Sequence, residues 1–192
     1  MFKKLILSVL FISTPLLWAA NSDTTKTDTK APLHGFVGTA VCGMCHHTDK
    51  QGKQLDIWKE SKHAQAYKTL ETDEANKIAK EKGFDTPAAK TEACLKCHAT
   101  GYNVEASLLG PKFKVEDGVQ CETCHGGGGD YKTLSVMKNK KEAMEKGLQI
   151  HEDMNAFCVT CHNSESPTWT KDSKFDTEAM WSKIKHTIPA DK

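Results

Sequence analysis

Beyond its first 19 residues the chain has no long apolar run, and the whole sequence is only 38% hydrophobic against 27% charged residues. A helix that spans a bilayer needs about 20 consecutive apolar residues, so no stable membrane insertion is expected of residues 20–192. The same shortage leaves an ordinary hydrophobic core underfilled for a domain of about 155 residues. The formal net charge is +1, which excludes the broad basic surface of a nucleic-acid binder and gives no uniformly charged docking face. Strand signals are also scarce, confined to short pieces such as "KFKV" at 112–115. Finally, no cysteine lies outside four short motifs, so none is placed to carry an N-terminal lipid anchor.

Those four motifs are what the sequence does have. Cys42–Cys45–His46, Cys94–Cys97–His98, Cys121–Cys124–His125 and Cys158–Cys161–His162 repeat one C-x-x-C-H frame and use all eight cysteines. C-x-x-C-H is the attachment signature of a c-type haem. Two thiols three residues apart on a helical turn reach the two vinyl groups of a porphyrin as thioethers. The next residue then aims an imidazole at the iron. Pairs of C-x-x-C could instead build structural zinc sites, and an even cysteine count could form disulfides. Neither requires a histidine after every second cysteine. The expected cofactors are therefore four haem c groups, with His46, His98, His125 and His162 as proximal iron ligands. The porphyrin faces would supply the apolar surface that the side chains lack.

Residues 1–19 read as a secretory signal: Lys3 and Lys4, a short apolar stretch from Leu5 to Trp18, and a small-residue cleavage site near Ala19. Export suits haem attachment, and a periplasmic location is expected. Residues 20–33 include "NSDTTKTDTKAP", which has no large apolar residue and reads as a flexible leader. A single tetrahaem domain is expected over 34–192. Its class is mostly α with long irregular loops, a multihaem cytochrome c fold organised around covalent haem. Periodicity predicts a helix from about Asp56 to Gly83, another over "SVMKNKKEAMEKG" and a third over "DTEAMWSKIKHTIP", where Asp176 is a capping residue and Pro189 a stop.

The order of motifs resembles the tetrahaem cytochrome c-554 family. The residues that carry the likeness are "FVG" at 36–38, "W-x-x-S-x-H-A" at 58–64, "CLKCHATGY" at 94–102, "GVQCETCHGGG" at 118–128 and "CVTCHN" at 158–163. The resemblance spans residues 36–186. It implies electron transfer through closely packed haem pairs, most irons carrying two histidines and one left five-coordinate. By position, His63 resembles the histidine that reaches the last haem, and His186 the one that ligates the third. The family's histidine shortly after the third motif, which serves the first haem, is missing: the chain reads "GGGGDYKTLSVMK" there.

Five of the nine histidines are not proximal: His34, His47, His63, His151 and His186. His63 and His186 are the expected distal ligands. His47 follows the proximal His46 directly and cannot reach the opposite face of the same haem. His34 and His151 are further candidates, and Met137 is a candidate for the first haem, methionine being an accepted axial ligand. Its alternative is ordinary packing on an amphipathic helix. The expected function is an electron relay between redox protein donors and acceptors, with no catalytic residue. Two alternatives stand beside it: a small nitrogen-oxide reductase activity at a five-coordinate haem, or a subunit of a conductive filament. All four motifs end in histidine, so the C-x-x-C-K device of pentahaem nitrite reductases is absent.

Overall fold

In the computed structural model, residues 34–189 are described. The expected signal peptide at 1–19 and the expected leader at 20–33 lie outside the described residues, as do residues 190–192.

The described residues form short helices joined by loops and turns, with no strand among them; one isolated parallel bridge joins Phe36 and Leu109. The helices are α1 (Thr39–Cys42), α2 (Gln54–Glu60), α3 (Ala66–Leu70), α4 (Asp73–Glu81), α5 (Glu92–His98), α6 (Cys121–His125), α7 (Leu134–Met137), α8 (Lys140–Glu145), α9 (Met154–Cys158) and α10 (Thr177–Ile184). Single 3-10 turns punctuate them, including His63–Gln65 and Val115–Asp117. The "KFKV" segment is therefore not a strand, since Val115 already opens a 3-10 turn. Among the described residues no helix is long and apolar enough to cross a membrane.

The long helix expected over 56–83 is broken into α2, the His63–Gln65 turn, α3 and α4. Side chains that compete with the helical ladder explain both breaks. Ser61 adopts an extended conformation; its hydroxyl donates to the Trp58 carbonyl at 2.7 Å and accepts from the Ala64 amide at 3.4 Å. Thr72 caps α4 by accepting from the Ala75 amide, with Asp73 and Glu74 on the electropositive first turn. The expected helix over 135–147 is likewise two, because Asn139 caps α8 through the Glu142 amide. Asp176 caps α10 as its position suggested, accepting from Ala179. His186, however, lies just beyond that helix rather than within it.

Among the described residues, buried apolar side chains gather mainly in two small clusters. Leu70, Ala79 and Ala88 hold α3, α4 and the approach to α5 together, with Cys94 and Leu95 against them. Tyr131, Val136 and Ala143 join α7 to α8, with Met137 and Leu148 alongside. Full burial of one leucine-sized side chain stabilises by only about 1.5–3 kcal/mol, so clusters of this size are small. Buried polar contacts carry much of the remaining organisation.

Candidate functional site

Each C-x-x-C-H motif sits on a helical turn. The second and third lie within α5 and α6. In the first and fourth the turn runs on past the helix, and the amides of His46 and His162 donate to the carbonyls of Cys42 and Cys158 at 3.1 and 3.0 Å. That geometry puts the two thiols and the imidazole of a motif on neighbouring faces of one turn. No disulfide joins any of the eight cysteines. Among the described residues no three or more His, Cys, Asp or Glu side chains gather where one metal ion could be held, which a tetrahedral zinc site would require.

Three of the motif imidazoles are oriented through Nδ1. His98 faces the Ala66 carbonyl at 2.8 Å, His125 the Gln149 carbonyl at 3.2 Å and His46 the Gln54 side-chain oxygen at 2.6 Å. An acceptor oxygen requires the proton on Nδ1, leaving the Nε2 lone pair for a metal. His186 is set the same way by the Ile184 carbonyl at 2.8 Å. His162 is held by stacking instead, its ring 4.7 Å from that of Phe175 and nearly parallel.

Two imidazoles outside the motifs lie near two within them. The His63 ring lies 6.1 Å from His162, and the His186 ring 6.0 Å from His125, centroid to centroid. Two imidazoles on opposite faces of one metal, each bonded at about 2 Å, would place their centroids about 6.3 Å apart. The residues present thus fit a haem iron between each pair. Burial pushes His63, His125 and His162 below the usual imidazole range; the neighbouring His162 adds to this for His63, and His98 for His162. A depressed pKa keeps the ring neutral, the form that ligates metal.

The segment carrying His63 is clamped from both ends. Trp58 Nε1 donates to the Val119 carbonyl at 2.8 Å, and the Val119 amide donates to the His63 carbonyl at 3.0 Å. Gly118, at φ 76°, lies against that carbonyl, and a β-carbon there would sit 2.7 Å from the His63 oxygen.

The motifs also hold one another. Cys42 donates to the Cys121 thiol, raising the first and lowering the second; Cys97 is pushed up to about 11 by burial and by Cys161. Cys124, also pushed up to about 11 by burial, feels Cys158 and Cys161. Motif one therefore adjoins three, three adjoins four, and four adjoins two. Lys96 and Glu165 form an ion pair across the last of these contacts.

The residues that fasten motif one to motif three were not assigned a role from the sequence. Glu122 is buried, and its carboxylate accepts from the amides of Val37 at 2.7 Å, Gly38 at 2.8 Å and Gly128 at 2.7 Å. Gln120, also buried, accepts from the Thr39 amide and hydroxyl at 3.2 Å and donates to the Lys114 carbonyl at 2.7 Å. The available signal was a pair of polar residues flanking the first cysteine of a motif, where a surface position is the usual expectation.

The other candidates are engaged as follows. His47 donates through Nδ1 to the Gly43 carbonyl at 2.7 Å. His151 directs Nε2 to the Cys124 carbonyl at 2.8 Å and stacks on Phe157 at 3.8 Å. His34 faces Asp130 through Nδ1 at 2.6 Å. Met137 packs against the Tyr131, Val136 and Ala143 cluster. Met137→Leu is expected to leave the visible spectrum unchanged and to cost less than about 1.5 kcal/mol, as volume-conserving core swaps do. Loss of an absorption band near about 695 nm in that variant would instead reveal methionine ligation.

Helical C-x-x-C-H turns whose imidazoles meet partner imidazoles across a metal-sized gap define a multihaem c-type cytochrome. The family model described as "Cytochrome c554 and c-prime" matches residues 41–126. Cytochrome c-554 of Nitrosomonas europaea is 29% identical over 177 residues, covering 83% of this chain and 72% of that protein. No solved structure matches the chain. The chain is thus similar to cytochromes of the c-554 family, which supports a haem-containing c-type cytochrome in electron transfer.

Proposed function

We propose that the chain is a periplasmic electron relay carrying four covalent haems, one on each C-x-x-C-H motif, between a redox donor and a redox acceptor. The observation that supports it best is the facing of His63 with His162 and of His186 with His125 at 6.1 and 6.0 Å. Covalent haem supplies reversible one-electron chemistry at its iron. At the two haems so paired, histidines on both axial positions would leave no place for a substrate, which suits electron passage rather than group chemistry. The order of motif contacts, one to three to four to two, supports a continuous path through the protein. The lowered pKa values of His63, His125 and His162 favour the neutral ring that ligates a metal.

Protein-film voltammetry tests this reading. Reversible uptake of four electrons per chain is expected, with no turnover current on adding nitrite or hydroxylamine. A catalytic current that scales with either compound would favour the reductase alternative, and filaments in images of the purified protein the structural one. Among the described residues, the imidazole pairs at this separation do not include His46 or His98. Carbon monoxide is therefore expected to bind the reduced protein at the haem of His98, monitored by the Soret shift.

A further inference from the structure

We infer that His34 is the distal ligand of the haem carried by Cys42, Cys45 and His46, with Asp130 as the residue that orients it. This rests on the haem reading above. His34 lies two residues before Phe36, and Val37 to Thr39 are bound to Glu122 and Gln120 of the third motif. The Cys121 thiol reaches the Thr39 hydroxyl of α1 at 3.9 Å in the same place. His34 thus belongs to the unit that motifs one and three build together, and His125, the proximal histidine of motif three, already faces His186.

Two contacts fix the ring. The Asp130 carboxylate takes the Nδ1 proton at 2.6 Å, although the two residues are 96 apart in sequence. A carboxylate on the far nitrogen is the arrangement that holds a ligating imidazole in one tautomer and raises its basicity. The ring also rests on Gly147, where a β-carbon would stand 2.7 Å from Nε2; at φ 103° this position favours glycine in any case. The backbone of the Gly126–Gly129 turn completes the cradle: the Gly129 amide donates to the Gly35 carbonyl at 2.7 Å, and a β-carbon on Gly127 would lie 2.5 Å from the His34 carbonyl oxygen.

Elimination among the remaining histidines points the same way. His151 spends Nε2 on a backbone carbonyl, and His47 belongs to the turn of motif one itself. His63 and His186 face other proximal histidines. His34 combines an Nδ1 held by a carboxylate with a place in the segment that runs into motif one.

The test uses the full, haem-loaded chain. In His34→Gly, one haem that is low-spin in the parent is expected to become high-spin in the electron paramagnetic resonance spectrum of the oxidised protein. Carbon monoxide uptake by the reduced variant should rise twofold, from one to two per chain, and added imidazole should restore the low-spin signal. Asp130→Asn keeps a hydrogen-bond acceptor but removes the negative charge; it should leave the spin state alone and raise the potential of one haem. Intact mass separates the possible failures. A full haem load with the His34→Gly spectra unchanged, or with every potential unmoved in Asp130→Asn, overturns the assignment of His34 alone. A chain with no haem on the first motif overturns both this inference and the haem reading beneath it.

Discussion

Replacing His63 or His186 by alanine is expected to convert one low-spin haem to high spin in each variant while leaving every covalent attachment in place. The two functions sit on different residues. Cys158 and Cys161 would anchor the haem that His63 covers, and Cys121 and Cys124 the one that His186 covers, so loss of a distal ring does not touch the thioether bonds. Each variant should gain a carbon monoxide site on reduction, and its altered haem should move to a higher potential. His63→Ala removes a ring held by its own clamped segment between Trp58 and Val119. His186→Ala removes one held only by its neighbour's carbonyl at Ile184. Added imidazole should therefore restore the spectrum in both, since the opposite proximal histidine remains oriented. Spectra of either variant that match the parent would show that histidine to be a bystander.

The largest expected loss of stability follows from Glu122→Ala. Its carboxylate is 2% exposed and serves three backbone amides, those of Val37, Gly38 and Gly128. Each stranded buried amide costs about 1–3 kcal/mol, and with water entering part of the opened space the sum should be about 3–5 kcal/mol. Glu122→Gln leaves one acceptor oxygen but turns an amide group toward an amide donor, so a smaller loss is expected. The consequence for function is positional: these three bonds tie the entry to the first motif and the glycine turn after the third to α6. A denaturant midpoint for Glu122→Ala within error of the parent would show that the carboxylate carries none of this. A loss of stability with unchanged haem potentials would show that it holds the fold without setting the relay.

The four motifs and their helical turns were legible from spacing alone, because the thioether chemistry demands that spacing. The His63 and His186 rings lie 6.1 and 6.0 Å from those of His162 and His125. What spacing could not show were the contacts between residues far apart in the chain. Ser61 and Thr72 look like ordinary helix-surface residues, yet each diverts a hydrogen bond from the ladder and breaks one apparent helix into several. Gln120 and Glu122 look like solvated positions within a motif, and their burial depends on a segment more than 80 residues away. The contact of Asp130 with His34 closes an equally long loop. Periodicity reports a residue's own element, and these contacts belong to pairs of elements. Met137 shows the converse: its position suggested an axial ligand, while its neighbours Tyr131, Val136 and Ala143 give it a packing role.

Intact-mass spectrometry of the purified, processed protein bears most directly on whether every motif carries haem. Each covalent haem adds about 0.6 kDa, so four would place the mass roughly 2.5 kDa above the polypeptide. A haem-staining band of that mass, with no titratable thiol left, is the predicted result. A mass equal to the bare polypeptide, or to the polypeptide plus zinc, with all eight thiols still free to react, would contradict it.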